Sequence, residues 1–476
     1  MENSLKYIST RSGAPDLEFE EVLLTGLSRD GGLYVPKTWP KFSKKDIRDL
    51  RGLNYAEVAA KIIFPFIGNS IPKAVFEEIV TQTYAKFNHN AVAPTKQIGP
   101  NQWVAELFHG PTLAFKDYPL QLVGRLFDYF LAKRNQKVTI IGATSGDTGS
   151  AAIEACRNRS AIKLFILHPK GRVSEVQRRQ MTTVKADNVF NLALNGTFDD
   201  CQDMVKALFA DEEFRDNYNL SAVNSINWAR IMAQIVYYFW TAISLGAPDQ
   251  KFTYAVPTGN FGNVYAGYAA KKMGLPIEKL IIGSNKNDIL TRFFTSGNTK
   301  GTMSMAPVIS TSSPSMDIQV SSNFERLLFD YYGRDGPAVA KAMEDFRSYK
   351  TVDFGNECWQ EMRKVFEGYC FNDAEISTAI ANLYKETGEL LDPHSIIGVL
   401  GGQKGHADPT NIMVALATAH PAKFPATVAE AAGIKPQLPT HLADLFEREE
   451  KFDVLPNNIN RIRNYIVEKL ERSDSR

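Results

Sequence analysis

One lysine in this chain stands where a lysine can do covalent chemistry. Lys116 closes the run Glu106-Leu-Phe-His-Gly-Pro-Thr-Leu-Ala-Phe-Lys-Asp117, after an apolar, turn-forming approach. Two glycine-rich loops of different design follow: Gly142-Ala-Thr-Ser-Gly-Asp-Thr-Gly149 and Gly259-Asn-Phe-Gly-Asn263. The second lies between an apolar run and a helical pattern. Its glycines let backbone N–H groups converge on an anion, and the helix N-terminus adds a favourable dipole. Asn260 and Asn263 add side-chain amides. It is not a Walker loop, since no Gly-Lys-Ser/Thr follows, nor a Gly-x-Gly-x-x-Gly dinucleotide fingerprint. A lone lysine is ordinarily a solvated surface group. A lysine beside a phosphate cradle is what pyridoxal phosphate (PLP) requires, because the amine condenses with the coenzyme aldehyde while the loop anchors its phosphate.

The first loop offers the hydroxyls of Thr144, Ser145 and Thr148 and the backbone amides of a helix start, a suitable seat for a carboxylate. Two anion cradles and one lysine suit an amino-acid substrate on PLP. Asn224-Ser-Ile-Asn-Trp-Ala-Arg230 precedes a long apolar helix. Arg230 can grip a phosphate bidentately with Asn224 beside it; a capped helix start with an exposed arginine is the equal alternative. The histidines show no metal-ligand spacing, so no metal site is expected. His109 reads as a core or loop residue, and the segment Gly398–Gly405 between His394 and His406 has no role that its residues reveal.

The elements that must position these groups alternate. Strand patterns at Lys137–Gly142, Lys163–Leu167, Val189–Leu194, Lys251–Val256, Leu280–Gly283 and Ile412–Thr418 are interleaved with helical patterns, including Val173–Met181, Phe198–Phe209 and Val264–Met273. This rhythm predicts α/β architecture with parallel sheets covered by helices. Residues 1–95 read as a mainly helical N-terminal domain, with helices over Tyr55–Phe66 and Pro72–Phe87 and a capping box at Ser43. Its Ser28-Arg-Asp-Gly-Gly-Leu-Tyr-Val-Pro36 reads as a structural hairpin. Ser296–Ser315 reads as a long loop, and Cys358–Cys370 and Asp373–Thr387 as helices.

Composition narrows the class. The 476 residues suffice for two or three domains. With 54 basic and 53 acidic residues, the net charge of +1 gives no support for nucleic acid or an anionic membrane as partner. Cys156, Cys201, Cys358 and Cys370 form no Cys-x-x-Cys pair, as expected of reduced thiols in a cytoplasmic protein. The apolar run Ile231–Ala247 carries Gln234, Thr241 and Ser244 and falls short of the roughly 20 residues of a spanning helix, so a buried helix is expected.

The motifs together resemble the threonine synthase family: His109-Gly-Pro-Thr-Leu-Ala-Phe-Lys-Asp, Gly142-Ala-Thr-Ser-Gly-Asp-Thr-Gly-Ser-Ala, Gln180-Met-Thr-Thr, Val223-Asn-Ser-Ile-Asn-Trp-Ala-Arg, Pro257-Thr-Gly-Asn-Phe-Gly-Asn and Leu416-Ala-Thr-Ala-His-Pro-Ala-Lys-Phe. The resemblance spans about residues 5–430 and is to the longer members with an N-terminal domain. It implies the tryptophan-synthase-β-like PLP fold (fold type II): two three-layer parallel-sheet domains plus the N-terminal domain. The division implied is 1–95; a PLP-dependent catalytic region 96–430 with a small subdomain about 120–225 inserted; and 431–476, a helical extension packed on the large domain. The resemblance further implies conversion of O-phospho-L-homoserine and water to L-threonine and phosphate, by a monomer or homodimer. In it Lys116 holds PLP, and Gly259, Asn260, Phe261 and Asn263 bind its phosphate. Thr418 meets its pyridine nitrogen, Ser145 and Thr148 hold the substrate carboxylate, and Asn224 and Arg230 hold its phosphate. Many relatives in this wider fold have Asn where Asp147 stands, so Asp147 is not assigned to the coenzyme. A serine or threonine dehydratase of the same fold is the nearest alternative; it has no substrate phosphate to hold.

Overall fold

The computed structural model describes residues 5–222, 225–295 and 301–474. Its contacts divide the chain into two compact units: 1–119 with 225–436, and 120–224 with 437–476.

The first unit is built on a six-stranded sheet. In spatial order its strands are Phe366–Cys370, Ile277–Ser284, Phe252–Pro257, Ile412–Ala417, Gln102–Glu106 and Thr95–Gly99. All neighbours run parallel except the last pair, a hairpin. The central strands are buried along their length, as parallel strands covered on both faces must be. The expected apolar helix is Trp228–Ser244, buried on almost every side. Residues 5–94 fold into this same unit. Tyr55–Ile67 is capped by Asn54, the Ser43–Asp46 capping box forms, and Tyr34–Pro36 pairs antiparallel with Tyr7–Ser9.

Helix Ser395–Gly405 occupies the segment whose role the sequence left open, and it packs on the strands Phe252–Pro257, Ile277–Ser284 and Ile412–Ala417. Its glycines are a packing device: a Cβ on Gly402 would stand 2.6 Å from Met413 Sδ, and one on Gly398 3.0 Å from the Pro257 ring.

The second unit carries a five-stranded, all-parallel sheet in the order Asp453–Pro456, Val189–Asn195, Ile162–Pro169, Val138–Ala143, Leu220–Ser221. The C-terminal segment therefore differs from expectation. Its strand adds an edge to this sheet, and Ile462, Ile466 and Leu470 of the last helix join the core formed by Phe165, Leu192, Leu194 and Leu208. It belongs to the small unit, because the apolar stripe of that helix covers a sheet face there. Two further readings change. Cys358–Cys370 is a helix only over Asn356–Arg363; Phe366–Cys370 is a strand beside Ile277–Ser284. Part of the expected loop Ser296–Ser315 lies outside the described residues. Its described part contains a short strand, Thr302–Ser304, paired with Thr351–Asp353.

Candidate active site

The reactive segments of the first unit emerge from the carboxyl ends of three adjacent parallel strands. Gln102–Glu106 leads into the lysine segment, Ile412–Ala417 into Thr418, and Phe252–Pro257 into the Gly259–Asn263 loop. Neighbouring strands stand about 4.8 Å apart, and the carboxyl edge of an open parallel sheet is where such folds bind ligands. Leu107 N–H donates to the Ala417 carbonyl (2.9 Å), and Phe115 N–H to the Thr418 carbonyl (2.8 Å). The backbone beside Lys116 is thus tied to Thr418.

Lys116 is half-buried, with Nζ 5.2 Å from the centroid of the Phe115 ring, and helix Asp117–Arg134 starts at the next residue. The approach is a locked turn. The buried Asp117 carboxylate accepts from the Thr112 N–H and hydroxyl (2.8 Å each), and buried Lys423 donates to the Thr112 carbonyl at 2.6 Å. Burial pushes the Asp117 carboxyl up to about 6 against these bonds. Leu113 takes φ +64°, and Gly110 is required by contact, since a Cβ there would stand 2.4 Å from Asp117 Cβ. Upstream, His109 Nε2 meets Glu106 Oε2 at 2.6 Å, and Lys96 bridges Glu106 and Glu389. His109 therefore belongs to a structural charge network.

At the cradle Gly259–Asn263, Phe261 takes the left-handed conformation (φ +63°) as N-cap of helix Gly262–Met273. Among the described residues, none of the backbone N–H groups of Gly259 through Asn263 donates within the protein. Asn263 Oδ1 accepts from the Tyr237 hydroxyl (2.6 Å), with the Tyr238 hydroxyl 3.1 Å away, which leaves its Nδ2 buried without a partner. Arg230, in the first turn of helix Trp228–Ser244, is 3 % exposed, and its Nε and Nη1 likewise lack partners. Its neighbour Ile231 packs against Gly262. Burial lowers the Arg230 guanidinium to about 10, so it stays charged at neutral pH. The row of unpaired N–H groups with the Asn263 amide fits a phosphate, and the buried Arg230 cation without acceptors fits an anion of its own. Arg230 is therefore no exposed helix-start arginine. Asn260 is exposed. Asn224 lies outside the described residues.

Thr418 is buried; its N–H donates to Ser395 Oγ (2.8 Å), and its hydroxyl has no partner among the described residues. Ser395 opens the glycine-bearing helix, and the sequence reading missed it. Its position is set by the Asp392 carboxylate, which also holds His394 Nδ1 at 2.7 Å.

In the second unit, the Thr144 hydroxyl accepts from the N–H groups of Gly146 and Gly149 (3.0 and 2.8 Å), so it shapes the loop. The half-buried Ser145 and Thr148 hydroxyls have no partner among the described residues. Asp147 turns to Gln177, whose Nε2 donates to it at 2.8 Å. No group of His, Cys, Asp or Glu among the described residues could hold a metal, and no described helix is long and apolar enough to cross a membrane.

A lysine at the strand ends, an unpaired N–H cradle and a buried hydroxyl define a PLP-dependent enzyme of fold type II. The profile described as pyridoxal-phosphate dependent enzyme matches residues 89–418. Those for the threonine synthase N terminus and C-terminal region match 6–84 and 396–466. Threonine synthase from Pseudomonas aeruginosa is 54 % identical over 97 % of this chain and 98 % of its own. The crystal structure of PLP-bound threonine synthase from Brucella melitensis superposes with a TM-score of 0.95 at 51 % identity, covering 98 % of this chain and 99 % of that one. The yeast threonine synthase structure gives 0.93 at 38 %, covering 98 % and 99 %. The chain belongs to the threonine synthase family, and its activity is the PLP-dependent lyase activity of that family.

Proposed function

We propose that the substrate is O-phospho-L-homoserine, converted with water to L-threonine and phosphate. The observation that carries this reading is the buried, partnerless pair of Nε and Nη1 on Arg230. A dehydratase has no second phosphate for such a group to meet.

With the coenzyme bound, Lys116 would hold it through its amine and, when free, would move protons. Its neutral amine takes the α-proton, and it returns a proton at the close of the reaction. The coenzyme supplies an electron sink that acidifies the protons of the bound substrate. Thr418 offers the ring nitrogen a neutral hydroxyl, which leaves that nitrogen mostly unprotonated and the sink mild. Gly259, Asn260, Phe261 and Asn263 hold the permanent phosphate through backbone N–H groups and the Asn263 amide. Ser145 and Thr148 take the substrate carboxylate. Arg230 and Asn224 take the departing phosphate, and their positive and amide donors stabilise the charge that grows on it. Loss of a β-proton from the substrate expels the phosphate from Cγ, Cγ takes up a proton to become the methyl group, and water adds its hydroxyl at Cβ, so that one water is consumed and one phosphate released for each threonine.

The free thiols of Cys156, Cys201, Cys358 and Cys370 support a reducing, cytoplasmic setting. The test is direct: incubation of the holoenzyme with O-phospho-L-homoserine, with phosphate and threonine measured together. Release of both in equal amounts is expected. Formation of 2-oxobutyrate from threonine, without phosphate release from the phosphorylated substrate, overturns the reading in favour of the dehydratase.

A further inference from the structure

The segment Ser321–Arg326 backs the phosphate cradle, and the N-terminal turn-and-strand segment Ser28–Pro36, whose strand pairs with Tyr7–Ser9 and forms no hairpin of its own, backs Arg326 in turn. Ser321 Oγ donates to the Gly259 carbonyl (2.7 Å). The Asn323 backbone N–H (3.1 Å) and Nδ2 (3.0 Å) both donate to the Asn260 carbonyl. Asn323 Nδ2 also reaches the Ser225 carbonyl, and its Oδ1 accepts from Arg326 Nη1. Arg326, fully buried, also donates from Nε to the Tyr34 carbonyl (3.0 Å) and from Nη2 to the Ile226 carbonyl (2.5 Å). Between them, Glu325 accepts from the Thr10 hydroxyl and from Arg11 Nε and Nη2. Asp30 fixes the turn that leads into the strand bearing Tyr34, accepting from Ser9 Oγ and the N–H groups of Gly13 and Gly32.

This arrangement has a directional consequence. In a planar trans peptide the C=O and N–H point to opposite sides. Holding the Gly259 and Asn260 carbonyls from behind therefore turns the N–H groups of Asn260 and Phe261 forward. Those are N–H groups without a partner in the protein. An unsupported loop carries the entropy cost of ordering them when an anion arrives; a held loop does not.

We infer that Asn323 and Arg326 are positioning residues for the coenzyme-phosphate cradle, and that the turn-and-strand segment Ser28–Pro36 is the fixed point from which they act. The inference rests on the reading that Gly259–Asn263 binds the PLP phosphate. It assigns a task to an N-terminal motif that carries no reactive group of its own.

The test compares apoenzyme affinities for PLP and for pyridoxal, which lacks the phosphate, by absorbance titration, together with the melting temperature of the apo form. The variants are Asn323→Asp, which keeps a partner for Arg326 and the backbone donor to Asn260 but removes the side-chain donor to it; Arg326→Lys, which keeps the charge but not the fork; and Asn263→Ala in the cradle itself. Expected is a drop of roughly 10- to 100-fold in the PLP-to-pyridoxal affinity ratio for Asn323→Asp and Arg326→Lys, scaled to one or two lost hydrogen bonds. Asn263→Ala lowers the same ratio. If Asn263→Ala lowers the ratio while both positioning variants keep it, with or without a lower apo melting temperature, Asn323 and Arg326 are merely structural and the inference is overturned. If none of the three lowers it, the cradle is not the phosphate site, and that reading falls first. Should Asn323→Asp fail to fold, Asn323→Ser removes the same donor without adding a charge and is read the same way.

Discussion

Arg230→Met separates a phosphate-binding arginine from a structural one, because it moves two observables in opposite directions. The guanidinium is buried, stays charged, and leaves Nε and Nη1 without acceptors. A bound phosphate accepts from both. Each hydrogen bond to a charged donor is worth about 1.5–3 kcal/mol, so two come to roughly 3–6 kcal/mol, or about 150- to 25,000-fold in affinity. In the apo form the same group is a liability, since buried donors without partners cost about 1–3 kcal/mol. Met retains the apolar stem and removes the charge. The expected result is an apo protein that melts higher than wild type. Its KM for O-phospho-L-homoserine and its inhibition constant for inorganic phosphate rise at least 100-fold, while PLP affinity stays within about threefold. The assays are calorimetry on the apoenzyme, phosphate-release kinetics and a coenzyme titration. A lower apo melting temperature with unchanged phosphate inhibition refutes the reasoning outright. Equal losses for PLP and for substrate move Arg230 to the coenzyme's phosphate.

Other outcomes follow from the same geometry. Lys116→Ala abolishes turnover and the visible absorbance of lysine-bound coenzyme; an active, yellow variant removes Lys116 from the chemistry. Gly110→Ala drives a Cβ to 2.4 Å from Asp117, so overpacking costs about 1–3 kcal/mol, and turnover falls at least tenfold; wild-type melting and turnover together contradict the locked turn. Buried His168, whose ring nitrogens lack partners, is lowered by burial to about 4. Its folded-state value lies below the unfolded 6.5, so the stability it contributes is present above 6.5 and lost as pH falls towards 4. At pH 5 the loss is about 2 kcal/mol. His168→Leu should shrink the drop in denaturant-measured stability between pH 7 and pH 5 by that amount, and an unchanged drop rules His168 out as its source.

The parts of the site that sequence made legible are local. The Gly259–Asn263 loop lies at the strand-to-helix junction where its glycines and the flanking patterns put it. Lys116 gains meaning from such a loop and from the motifs around it. What escaped depends on distant partners. Helix Ser395–Gly405 carries glycines that lower helix propensity, so only its packing against three strands explains it. The strand Phe366–Cys370 continues a helical spacing in sequence and becomes a strand because Ile277–Ser284 leaves an edge to pair. The C-terminal strand Asp453–Pro456 is mostly exposed and shows little apolar alternation; its partner lies more than 250 residues earlier in the chain. Asn323 and Arg326 bond mainly to backbone carbonyls, and no side-chain pattern announces a carbonyl's position. The buried state of Arg230 was likewise invisible, since the sequence allowed an exposed helix start equally well.

The flush seating of helix Ser395–Gly405 has a consequence beyond its own packing. Ser395 reaches the Thr418 N–H only because Gly398 and Gly402 let the helix axis approach the strands so closely. The hydroxyl proposed to meet the coenzyme's ring nitrogen is therefore coupled to the thickness of a helix–sheet layer. A single methyl group added on the far side of that layer acts as a spacer. It shifts the anchor of the Thr418 backbone from a layer away, through the Ser395 hydroxyl alone.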